Sequence, residues 1–281
     1  MSMKTILVPI ECHEAMRPAL ATALLVARRC ESHMEGFALR WDISEFVAVD
    51  IMGGALLDTE RRDGPEEEAQ ARQIFESFMQ EHGVAPLGAT PAAPSFGWLD
   101  HAPAGEGFVG NYGRVFDVIV MNRPDAHSSR LHTRGIESAL FDSGRPILLA
   151  PATPPQQIAT NVLVAWNGSP EQARATAFAM PLLRQAERVT VLNVIGGTGV
   201  PGPSAEQLTR YLQRNVIAAT QLNVELGGKT TGEVILGAAA SLGCDLLVKG
   251  AYTQSRLRQM IFGGATKHVL ANAALPVLLA N

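Results

Sequence analysis

The chain has 281 residues, of which 47% are hydrophobic and 18% charged, with a formal net charge of −4. So much apolar material excludes a disordered chain, and the length suits two domains better than one. The mild acidity argues against a nucleic-acid surface, and no apolar run reaches the about eighteen residues of a membrane span, so neither is an expected partner.

The first predicted element is a strand, Thr5-Ile-Leu-Val-Pro-Ile-Glu11, a nearly continuous apolar run that ends on a polar residue, as a buried parallel strand does. The segment before it lacks the charged region, apolar core and cleavage site of a signal peptide. Cys12, Cys30 and Cys244 have no metal-like spacing. Together these features predict free thiols and a cytoplasmic location. A helical pattern follows from Glu14 to Arg29. The stretch Trp41 to Glu68 is apolar at Phe46, Val47, Val49, Ile51, Met52, Leu56 and Leu57, which predicts packing against a sheet edge or a partner chain rather than a solvated loop. Its acidic end, Glu66 to Glu68, reads as the N-terminus of a helix, where negative charge is favoured.

Next come a strand at Phe116-Asp-Val-Ile-Val-Met-Asn122, a polar loop, and a last strand at Arg145-Pro-Ile-Leu-Leu-Ala150. Pro151 to Gln157 holds three prolines and reads as a linker.

The pattern then repeats. Asn161-Val-Leu-Val-Ala-Trp-Asn167 matches the first strand, and a helix runs from Pro170 to Gln185, with Ser169 as its N-cap and Pro170 at its first position. A strand at Arg188 to Ile195, a helix at Ala205 to Asn215, a strand at Gln221 to Leu226 and a helix at Thr231 to Leu242 follow. Cys244-Asp-Leu-Leu-Val-Lys-Gly250 matches the Phe116 strand, and Leu275-Pro-Val-Leu-Leu-Ala280 the Arg145 strand. Glu11 and Asn167 stand 156 positions apart, but Asp117 and Asp245 only 128, so the first repeat carries 28 extra residues, mainly in 41–68. Strands alternating with helices imply βαβ crossovers. The prediction is an α/β protein with two tandem five-stranded, doubly wound parallel-sheet domains: residues 1–150, a linker at 151–160, and residues 161–281.

In such sheets ligands sit beyond the carboxyl ends of the strands. After the strand ending at Gly250 comes a long loop, and Gly263-Gly264-Ala265-Thr266 opens a helix whose free N–H groups suit phosphate oxygens. Here the chain resembles the universal stress protein family over nearly its whole length. The family's nucleotide loop reads Gly, two residues, Gly, nine residues, Gly, then Ser or Thr. Gly250 and Gly263 fill the first and third glycine places. Thr253 stands where the second glycine is expected, and Gly264 where Ser or Thr is expected. The resemblance gives Asn167 the place of the family's acidic, adenosine-facing residue and Val194 that of the adenine-facing one. It implies a Rossmann-like fold of the adenine nucleotide alpha-hydrolase kind. It also implies an ATP site in the second domain, with Mg only where ATP is bound, a pseudo-dimer of the two domains through Ile147 to Ala150 and Val277 to Ala280, and a homodimer as an option. No glycine loop is present between Asn122 and Arg134, so the first domain is expected to lack the site.

Two functions follow. One is a non-enzymatic, nucleotide-responsive stress protein. The other is an ATP-independent interaction or small-ligand module with a relic loop, which the residues at Thr253, Gly264 and Asn167 favour. An enzyme would need a pyrophosphatase, Walker or nucleophile-elbow motif, none of which is found. For other suggestive residues the plainer reading holds: Cys12 as a buried thiol, Trp166 as packing, and Arg256, Arg258, His127, His132, Arg123, Arg130 and Arg134 as solvated loop residues.

Overall fold

The computed structural model describes residues 2–12, 16–40, 54–88, 94–124, 130–197, 199–251 and 264–281, with 54–63 and 130 described in backbone alone. Two compact units result: Lys4–Met121 with Ala126–Arg145, and Pro146–Asn281 with Met1–Met3 and Asn122–Asp125.

The first unit runs β1 (Thr5–Ile10), α1 (Arg17–Cys30), β2 (His33–Ala38), α2 (Gly54–Glu81), β3 (Ala85–Pro86), β4 (Ser95–Trp98), α3 (Gly107–Gly113), β5 (Val118–Asn122) and α4 (Arg130–Asp142). Its strands are parallel, in the order β3-β4-β2-β1-β5. Ile6, Leu7, Val8 and Ile10 are fully buried, as expected where helices cover both faces of a parallel sheet. Part of the 41–68 stretch lies within α2, while Phe46, Val47, Val49, Ile51 and Met52 lie outside the described residues. The expectation that Glu66 to Glu68 begins a helix is corrected: α2 is 28 residues long, and these glutamates fall in its middle, just after Pro65. Further along, α2 buries Ala71, Phe75 and Met79, and Phe75 meets Phe96 of β4 edge to face at 5.8 Å. Burying Phe75 or Met79 is worth roughly 1.5–3 kcal/mol each.

The second unit runs β6 (Ile147–Ala150), β7 (Asn161–Trp166), α5 (Pro170–Leu183), β8 (Arg188–Ile195), α6 (Ala205–Arg214), β9 (Ala219–Glu225), α7 (Thr231–Ser241), β10 (Leu246–Gly250), α8 (Gly264–Asn272) and β11 (Val277–Ala280). The strand order is β6-β11-β10-β7-β8-β9. All neighbours are parallel except β6, which pairs antiparallel with β11, Leu148 opposite Leu278. The caps account for the sharp helix starts. Ser169 Oγ accepts from Gln172 N at 3.1 Å, and complete capping boxes stand at Ser204 with Gln207 and at Thr230 with Glu233.

Both units share one more device. Asp117 Oδ2 accepts the backbone N–H groups of Lys4 and Thr5 at 2.7 and 3.0 Å. Asp245 accepts those of Thr160 and Asn161 at 3.1 and 3.0 Å. In each repeat the aspartate entering the fourth main strand holds the amino end of the first. No helix among the described residues is long and apolar enough to cross a membrane.

Candidate functional site in the second unit

β7 lies between β10 and β8, so the sheet is wound in opposite directions from that point, and a crevice opens where the carboxyl ends of β7 and β10 diverge. A cavity of about 570 Å³ occupies it. Asn167 after β7, Val194 of β8, Lys249 of β10, Thr231 of α7 and Ala265 of α8 line it, with the first turn of α6 at its rim. The first turns of three helices therefore face one space, which biases it toward negative charge.

Three of the residues nominated from sequence, Asn167, Val194 and Ala265, meet in this cavity. Asn167 is already engaged: its Oδ1 accepts from Ser169 N at 3.2 Å, and its carbonyl from Val200 N at 3.1 Å. Gly250, Gly264 and Thr266 do not line the cavity. A Cβ on Gly250 would come within 2.4 Å of Gln172 N, so the glycine makes room for the first turn of α5. Gly250 N in turn donates to Gln172 Oε1 at 2.6 Å. Gly264 is exposed at the start of α8, and Thr266 is buried. Thr253 and Gly263 lie outside the described residues, as do Arg256 and Arg258.

Two features of the cavity were not anticipated. The first is Lys249, whose ammonium is buried and donates to Gly250 O at 2.8 Å and Thr266 Oγ1 at 3.0 Å. Burial alone pulls it down from the ordinary lysine range to about 8. The signal was present in the repeat, because Lys249 corresponds to Met121, which is fully buried. A lysine at a core position of a strand covered on both faces must line a space or carry a large desolvation cost.

The second is the segment from Gly199 to Ser204. It lies on the turn after β7, where Gly168 has φ +80° and a Cβ on Gly202 would stand 2.4 Å from Gly168 O. Trp166 Nε1 donates to Pro203 O at 2.7 Å. Trp166 thus packs, as expected, and also ties this segment down.

In the first unit, Glu11 occupies the place of Asn167, and its Oε1 accepts from His132 Nδ1 at 2.5 Å, both side chains being largely buried. The expectation of a solvated His132 is corrected by this pairing. Arg134 pairs with Glu106 at 3.0 Å, whereas Arg123, in the second unit, donates to Ala273 O at 2.6 Å. Arg123 and Arg134 are therefore held by separate partners, while the Arg130 side chain and His127 lie outside the described residues. Cys12 Sγ donates to Glu67 O at 2.8 Å, and burial together with Glu67 pushes its thiol above the ordinary range, so it is not an activated nucleophile. No group of three or more His, Cys, Asp or Glu side chains able to hold a metal exists among the described residues.

Fold and cavity define the second unit as a doubly wound α/β domain that opens at its strand reversal. Residues 159–281 match the model of the Universal stress protein family. The whole chain is similar in fold to a universal stress protein from Archaeoglobus fulgidus DSM 4304. The TM-score is 0.66 at 15% identity, covering 100% of this chain and 99% of that one. A functionally unknown protein from Pseudomonas aeruginosa PAO1 is similar with a TM-score of 0.53 at 16% identity, covering 99% of this chain and 92% of that one. No curated protein matches the chain.

Proposed function

We propose that the protein is a non-enzymatic stress-response protein that binds one adenine nucleotide, ATP in the first instance, in the cavity of the second unit. The observation that carries this reading is the convergence of Asn167, Val194 and Ala265 on a space of about 570 Å³ at the strand reversal. Ligand cavities run from roughly 300 to 1,000 Å³, so the volume suits a nucleotide. Helix first turns supply N–H groups for phosphate oxygens, and Val194 gives an apolar wall for a base. Magnesium enters only with the phosphates, since no cluster of acids able to hold a metal stands among the described residues.

A second reading is an ATP-independent interaction or small-ligand module. It is favoured by the engagement of Asn167 in its own turn and by the segment tied across that turn. Native mass spectrometry and calorimetry separate the two. One nucleotide per chain supports the first reading, and no heat with ATP at millimolar concentration supports the second.

A further inference from the structure

The ammonium of Lys249 stands in a doubly unfavourable place. It is nine-tenths buried, and its hydrogen-bond partners are neutral oxygens, Gly250 O and Thr266 Oγ1. Thr266 belongs to the first turn of α8, where the helix dipole repels a cation. The charged groups on the surrounding elements are engaged elsewhere or lie at a distance. Glu233 of α7 closes its own capping box, Glu206 of α6 pairs with Arg210, and Asp245 holds Thr160 and Asn161 at the far end of β10. His268 of α8 packs against Gly232, and Lys267 adds positive charge. Among the described residues no carboxylate pairs with Lys249.

A buried cation at the positive end of a helix, lining an open cavity, is an arrangement that an anion relieves on both counts. We propose that Lys249 is the phosphate-recognising residue of the cavity: on ligand entry its ammonium turns from Thr266 Oγ1 to a phosphoryl oxygen of the nucleotide. This rests on the reading of the cavity as a nucleotide site. It further means that Lys249 sets the preference for phosphorylated over unphosphorylated ligands, and that anion binding holds the proton on the amine.

The test is calorimetry of ATP and of adenosine with wild type, Lys249→Met and Lys249→Arg at neutral pH. Methionine is the residue the first repeat carries at the matching place, which favours a folded variant. ATP affinity is expected to fall by about tenfold to a hundredfold in Lys249→Met, the usual range for a hydrogen bond to a charged group. Adenosine affinity is expected to hold, and Lys249→Arg to keep most of the preference for ATP. Wild type alone gives a second arm. Above about pH 8 the free amine must gain a proton to bind the anion, so ATP affinity falls by up to about tenfold per pH unit while adenosine affinity stays level. Equal losses for ATP and adenosine, or the same pH profile for both, would overturn the proposal and leave the nucleotide site standing. If adenosine and ATP both fail to bind, inorganic pyrophosphate decides. Binding of pyrophosphate that Lys249→Met abolishes supports the phosphate role, and no binding overturns it together with the nucleotide reading.

Discussion

Trp166 Nε1 donates to Pro203 O at 2.7 Å, tying the chain entering α6 to the end of β7. The same contact brings Val200 N to Asn167 O, at the rim of the cavity. Trp166→Phe keeps the ring and removes the donor. The expected loss is about 1 kcal/mol of stability. Amide exchange at Val200 is expected to speed up relative to the rest of the unit. Unchanged exchange there would mean that the glycine contact between Gly168 and Gly202 holds the segment unaided.

Lys249 makes stability depend on pH. Its folded value, about 8, lies below its ordinary one, 10.5, so the unfolded chain binds more protons between these limits. Stability from this group therefore rises with pH across that window, and the full penalty applies below it. Cys244, pushed up to about 11, and Tyr112, up to about 12, act in the opposite sense, so the informative quantity is the difference between two proteins. Ligand-free Lys249→Met is expected to be more stable than wild type at pH 7 by up to about 3 kcal/mol, with the gap closing toward pH 10. Urea unfolding at both pH values measures it.

Glu11→Ala removes the carboxylate that accepts from buried His132. A loss of roughly 1–3 kcal/mol is expected in the first unit. ATP affinity is expected to stay at the wild-type value, because the cavity that would hold nucleotide is in the second unit. Calorimetry that finds two sites of equal affinity in wild type, one lost on this substitution, would contradict the asymmetry.

The two departures from the family loop, at the second glycine place and at the Ser or Thr place, give a gain-of-function prediction. Thr253→Gly with Gly264→Ser restores the family pattern and adds a hydroxyl at the exposed start of α8. About tenfold tighter ATP binding is expected, equivalent to about 1.4 kcal/mol. Titrations of both proteins at equal magnesium and salt check it.

Residues 159–281 expressed alone would lack β6, leaving the edge of β11 open at Val277–Ala280, a run with no charge and no proline to block pairing. Such an edge seeks another strand. This fragment is expected to self-associate, as read by light scattering, where a monomer would show that the edge is protected in another way.

The strands were legible because buried parallel strands are short apolar runs, and because Asp117 and Asp245 mark the same strand twice. Ser169 made the start of α5 readable, whereas the capping residues Ser204 and Thr230 of α6 and α7 became visible only in the structure. The middle of the first repeat was harder. Gly64 and Pro65 punctuate the sequence as a break, yet α2 runs through them, because its later turns bury Ala71, Phe75 and Met79. In the cavity, the places of Asn167 and Val194 came from the resemblance to the universal stress protein family. The contact between Gly202 and Gly168 joins residues far apart in sequence, and no local pattern announces it.

The paired aspartates bear on how this molecule tolerates change. Asp117 and Asp245 lock strand register from the amino ends of the sheets, the side away from the crevice. Alignment of the strands is thus set independently of the loops at the opposite rim. Changes to those loops that keep the close glycine contacts at Gly168, Gly202 and Gly250 leave this register lock untouched, which makes the carboxyl rim a rational place to graft a new specificity.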